Sequence, residues 1–80
     1  MNVLQGSVVK SLAGHDKDSY FVAVKIEGSY VYIADGKERK LESPKKKNIK
    51  HLHVTQKSID LSEITNKKLR KLLNEFQNSE

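Results

Sequence analysis

The sequence predicts a mostly-β domain, a small five-stranded barrel or curled sheet, with a C-terminal α-helix. Three observations lead there. Between Ser19 and Ala34 side chains alternate with period two, as in strands whose two faces differ. The Gly-containing links Glu27-Gly28-Ser29 and Asp35-Gly36 interrupt that pattern where hairpins need turns. Beyond Asp60 the period changes, and Ile64, Leu69, Leu72, Leu73 and Phe76 recur mostly at three- and four-residue spacing, one stripe of a helix.

The elements follow in order. Val3 to Ser11 is β-rich around Gly6, and a glycine inside a strand indicates a bulge or the close approach of another backbone. Ala13 to Asp18 is a polar loop. From Ser19 to Ile26, Tyr20, Val22, Val24 and Ile26 fall on one face, with Phe21, Ala23 and Lys25 on the other. Tyr30 to Ala34 sets Val31 and Ile33 against Tyr30 and Tyr32. After the Asp35-Gly36 turn a short fourth strand is expected at Arg39 to Glu42. Pro44 then ends it and Lys45-Lys46-Lys47-Asn48 leads to a fifth strand, Ile49 to Thr55. Thr65 is the expected N-cap of the helix. Residues 1–58 form the barrel in this reading, and 59–80 a helical extension packed on it.

A chain of 80 residues without Cys draws its stability from a small apolar core. Such a core leaves little room for an enclosed substrate pocket. No Ser-His-Asp set, paired catalytic carboxylates or phosphate-cradling Gly-rich loop stands out, so no enzyme and no cofactor is expected. His51 and His53 have the spacing of two imidazoles on one strand face. With His15 the sole further His and no Cys, no metal site is expected. No leader segment and no apolar run of the roughly 20 residues that span a bilayer is visible. A cytoplasmic protein, monomeric when free and not membrane-bound, is the expectation.

Charge is the clearest functional signal. Between Lys37 and Lys50 stand seven basic residues against two acids, a surplus equal to the whole net charge of +5. A concentrated basic segment steers polyanions better than a dispersed one. Lys45, Lys46 and Lys47, following Pro44, are expected to project into solvent as phosphate ligands. Arg39 is the candidate for a bidentate or stacking contact. The competing reading is a solvated loop that protects a sheet edge. Lys67, Lys68, Arg70 and Lys71 on the helix could add phosphate contacts or meet an acidic protein. Tyr20, Tyr30 and Tyr32 could stack on unpaired bases or pack under the helix; the scarcity of apolar mass favours packing. Asp35 reads as a turn residue, and Asp16 as bonding loop amides or pairing with Lys17.

The segment Gly6-Ser7-Val8-Val9-Lys10-Ser11-Leu12-Ala13-Gly14-His15-Asp16-Lys17 resembles the KOW motif, in which an early Gly and a valine-rich strand lead into a Gly-Xaa-Asp-Lys loop. Tyr20 to Val24 looks like its continuation. Tyr30 to Gly36, Arg39-Lys40 and Pro44 to Leu52 are similar to the short bacterial KOW-domain RNA-binding proteins. Those resemble the N-terminal domain of archaeal- and eukaryotic-type large-subunit ribosomal proteins. The resemblance spans residues 3 to 55. It implies an SH3-like barrel that binds RNA, often rRNA on the ribosome. It implies RNA-facing roles for Gly14, His15 and Lys17, for Arg39 and Lys40, and for Lys45, Lys46, Lys47, Lys50 and His51. His15 departs from the pattern, standing where a basic residue is frequent, and imidazole carries little charge at neutral pH. Gly14 in this tight loop is expected to adopt positive φ. The alternative is a protein-interaction module of the translation or transcription machinery, since SH3-like barrels also bind proteins.

Overall fold

The structure, a computed structural model, describes residues 2–78. Strands β1 (Ser7–Ser11), β2 (Tyr20–Glu27), β3 (Tyr30–Ala34), β4 (Lys45–Asn48) and β5 (Leu52–Ser58) precede helix α1 (Asn66–Asn78). The fold is mostly β, as the sequence predicts. The strands form one antiparallel sheet in the order β4-β3-β2-β1-β5.

That order forces the sheet to curl. β4 and β5 lie at opposite edges, and laid flat they would stand ~19 Å apart across four strand spacings. Only the 3₁₀ turn Ile49–His51 joins them, and four residue steps reach at most ~14 Å fully extended. The edges must therefore bend toward each other.

Curling gives the sheet two cores. The strands enclose Val9, Phe21, Ala23, Val31, Ile33 and Leu52 on the concave face. On the other face Val8, Tyr20, Val22 and Ala34 meet Leu69 and Leu73 of α1. Both faces of the first half of β2 are thus buried, so Tyr20, Phe21, Val22 and Ala23 all lie inside. A bulge between Ala23 and Lys25 then resets the parity, pairing Lys25 with Tyr32 and Ile26 with Val31. Ile26 consequently leaves the face it would share with Val22 under strict alternation.

Gly6 is the close approach that the sequence indicates. Its φ is +95°, its N–H donates to the Ala23 carbonyl, and its own carbonyl accepts from the Ile59 N–H. A Cβ there would stand 2.5 Å from the Ile59 carbonyl oxygen.

The strand expected at Arg39 to Glu42 does not form, and β4 is the lysine run itself. The backbone of the intervening segment has other partners. The Asp35 carboxylate accepts from the N–H groups of Lys37 (2.9 Å) and Arg39 (2.8 Å). The Arg39 carbonyl accepts from those of Asp35 and Gly36. Leu41 donates to the Asn66 side chain (2.8 Å). The fifth strand also starts later than expected, because Ile49–His51 is spent on the turn and β5 runs from Leu52 to Ser58. His51 therefore lies in the turn and His53 in the strand, and they do not share a strand face.

α1 starts as the sequence predicts, with the Thr65 hydroxyl accepting from the Lys68 N–H at 3.1 Å. Leu69 and Leu73 are buried, with Ile64 and Phe76 packed beside them. The Phe76 ring meets Tyr20 edge-on with centroids 5.1 Å apart. Leu72 stands off the stripe, 41% exposed. Replacing Leu69 by Ala is expected to cost about 2–5 kcal/mol. Replacing Leu72 by Ala should cost less than about 0.5 kcal/mol. Urea unfolding of the two variants checks the contrast.

Candidate nucleic-acid interface

The lysine run is a strand, and its pleat decides where each lysine goes. β4 pairs Lys45 with Ile33, Lys46 with Tyr32 and Lys47 with Val31. Lys45 and Lys47 therefore share the concave side with Val31 and Ile33, while Lys46 points outward. The expectation that all three project into solvent is corrected on this ground.

Lys47 reaches from β4 to the start of the loop between β1 and β2. Its Nζ donates to Ser11 Oγ (2.7 Å), the Ala13 carbonyl (2.8 Å) and Asp16 Oδ1 (2.7 Å). All three ammonium protons have acceptors, and the side chain is only 9% exposed. Lys45, one-third exposed, donates to Asp16 Oδ2 at 3.1 Å. Ser11 Oγ lies 2.8 Å from Asp16 Oδ1 and 3.0 Å from the Ala13 carbonyl, two acceptors for its single proton. Asp16 thus pairs with two lysines about thirty residues on, and not with Lys17 or loop amides.

Burial opposes the charged form of Asp16, but hydrogen bonds from Lys47, Ser11 and Lys45, with the Lys47 charge, outweigh it. They hold the carboxyl well below the usual carboxylate range. The loop above this cluster is tight. Gly14 has φ +88°, as expected, and Asp18 takes φ +72° as a non-glycine. A Cβ on Gly14 would meet only ordinary contacts, so the position needs glycine for its backbone angle and not for space.

The remaining basic side chains lie outside the cluster. His15 and Lys17 are exposed in the β1–β2 loop, Lys37, Arg39 and Lys40 in the segment after β3, and Lys50 and His51 on the 3₁₀ turn. Two adjoining grooves gather His15, Lys37 and Arg39 with Lys45 and the cations of α1. One is lined by His15, Arg39 and Lys45 together with Asp16; the other by Lys37, Lys67, Arg70 and Lys71. Ser19, Asp35 and Glu38 line both. Among the described residues no ion pair holds Lys37, Arg39, Lys67, Arg70 or Lys71.

The α1 cations come beside Lys37 because the segment after β3 is fastened to the helix start. Asn66 Nδ2 donates to Glu42 Oε1 (2.9 Å), and Asn66 Oδ1 accepts from Leu41. Gly36 (φ +78°) packs so close to the Asn66 carbonyl that no Cβ would fit. The helix charges were visible in the sequence, but their proximity to Lys37 depends on this junction. Lys46, Lys50 and His51 line neither groove.

Among the described residues no three His, Cys, Asp or Glu side chains are grouped to hold a metal ion, and no helix is long and apolar enough to cross a membrane. No protein-family model matches the chain, and no curated protein matches it.

The Asp16 cluster sets an acid dependence. A carboxyl whose folded pKa is depressed contributes stability that is complete above its unfolded value, about pH 4, and is lost as pH falls toward the folded one. Asp16→Asn should therefore lower stability near neutral pH and flatten its decline below about pH 4. Urea midpoints measured from neutral to strongly acidic pH read both effects.

Proposed function

We propose that this is a non-enzymatic RNA-binding module of the KOW type, engaging structured rRNA on the large ribosomal subunit. The observation that carries the reading is the groove where Lys37 meets Lys67, Arg70 and Lys71 of α1, four cations against Asp35 and Glu38 and without ion-pair partners among the described residues, with Arg39 beside it in the adjoining groove. Flexible, solvated ammonium groups neutralise phosphates and release counterions, which gives affinity with little sequence preference. Arg39 adds a planar fork suited to bidentate phosphate contact. Lys40 and Lys17 extend the surface, and His15 lines its rim. Gly14 shapes the loop that carries His15 and Lys17.

The roles of the lysine run divide accordingly. Lys47, with three protein acceptors, supports the surface from beneath. Lys45 borders one groove while bonded to Asp16. Lys46, Lys50 and His51 would meet RNA outside the grooves. The resemblance at residues 3 to 55 supplies the assignment to rRNA; charge and geometry supply only a polyanion.

The reading predicts a salt signature. The combined variant Lys37→Ala, Arg39→Ala, Arg70→Ala should weaken RNA binding and flatten the log K against log salt slope by ~2–3 units, near 0.7–0.9 per lost phosphate contact. Lys47→Met should instead cost stability, about 3 kcal/mol by analogy with a broken buried pair, and leave the slope unchanged if its fold is retained. Titrations of a structured rRNA fragment at several salt concentrations distinguish the two. An unchanged slope in the triple variant removes the grooves as the phosphate site. Co-sedimentation with large subunits at low salt, lost at high salt, tests the ribosome as the target.

A further inference from the structure

The outer face of β3 is not used by the grooves, nor is it packed as the sequence suggested. Only Tyr20 of the three tyrosines lies under α1. The helix-covered core takes Ala34 from β3 and goes no further along that strand. Tyr30 remains 42% exposed and Tyr32 partly so. The strand register explains this. Tyr30 and Tyr32 face away from Val31 and Ile33, whose side chains fill the concave core.

Exposed aromatics are common singly; here each has an ammonium group over its ring. Lys46 Nζ lies 4.5 Å from the Tyr30 centroid, and Lys25 Nζ 5.6 Å from that of Tyr32. Glu27 is the acid on this face, 3.5 Å from both the Lys25 ammonium and the Tyr32 hydroxyl. Lys50 follows on the turn that Ile49 fastens to Ser29. Both lysine placements have backbone causes. The β2 bulge brings Lys25 opposite Tyr32, and the inward turn of Lys45 and Lys47 leaves Lys46 outside.

We propose that this face binds unpaired bases of single-stranded RNA, with Tyr30 as the stacking surface, Tyr32 as a second one, and Lys46 and Lys25 as ligands of the flanking phosphates. The proposal rests on the RNA-binding reading and adds a preference that the grooves do not provide. A base stacked on tyrosine is held more strongly than an exposed ammonium above the ring. A base can therefore displace Lys46 from Tyr30, and the freed ammonium is then placed for the phosphate. Alternate residues of one strand stand about 6.8 Å apart, twice the 3.4 Å rise of a stacked nucleic-acid strand. Two successive bases can reach both rings only when unstacked from each other. A duplex, whose bases are paired and stacked, offers no free base face.

The test compares two probes on the full chain, a uridine-rich single strand of about ten nucleotides and a blunt RNA duplex of equal length. The variants are Tyr30→Leu and Tyr30→Phe, with the groove triple variant as reference and thermal melting to show that each is folded. Tyr30→Leu is expected to weaken single-strand binding about 5- to 100-fold without changing its salt slope, and to leave duplex binding within about twofold. Tyr30→Phe should retain single-strand affinity. Unchanged single-strand affinity in folded Tyr30→Leu overturns the proposal, and if the triple variant still loses binding, the grooves stand without it. Failure of the wild-type chain to bind either probe at low salt overturns the RNA-binding reading itself and this proposal with it.

Discussion

The ion pair between Asp16 and Lys47 is the constraint on which the arrangement of this domain most depends. β4 is a short strand of Lys-Lys-Lys-Asn at an edge of the sheet. Its composition favours neither strand nor burial. One side is paired with β3. Across the concave side, Lys47 and Lys45 bind it to the β1–β2 loop, which belongs to a different part of the sheet. An enclosed ion pair contributes little net stability compared with an apolar replacement, yet removing one partner is costly. Its effect here is geometric. It ties the edge strand, which the short Ile49–His51 link already brings round, to the β1–β2 loop and holds Lys45 and Lys47 on the concave side.

The proposed surface on the outer face of β3 follows from the pleat of the lysine run, and so does the place of Lys45 in one groove. With Lys45 and Lys47 turned inward, Lys46 is left outside over Tyr30. The same cluster fixes the loop that carries His15 and Lys17. The second junction, at Gly36 and Asn66, is smaller but equally specific. It fastens the segment after β3 to the start of α1 and sets the Lys37 side of the groove beside Lys67, Arg70 and Lys71.

The sequence made the local features legible. The alternation in β3 and in β2 up to its bulge, the need for glycine at Gly6 and Gly14, the Asp35 turn and the Thr65 cap all depend on near neighbours or on backbone angle. Long-range contacts hid the rest. Lys45-Lys46-Lys47-Asn48 reads as solvated loop because the carboxylate that draws two of its lysines inward lies about thirty residues away. Arg39 to Glu42 reads as strand because the side chain that takes the Leu41 N–H is Asn66, in the helix. The tyrosines divide according to where α1 rests, and a helical stripe states which residues are covered without stating what they cover. Leu72 has the spacing of the stripe but stands off its buried face.

The most direct test of the central constraint is a double-mutant cycle on Asp16→Asn and Lys47→Met, with unfolding free energies measured near neutral pH. Residues in one enclosed hydrogen-bonded pair should show a coupling energy of about 1–3 kcal/mol, the double variant losing much less than the sum of the single losses. Additivity within about 0.5 kcal/mol would mean that the two side chains do not act together and that their ion pair is not the constraint that holds β4 to the β1–β2 loop.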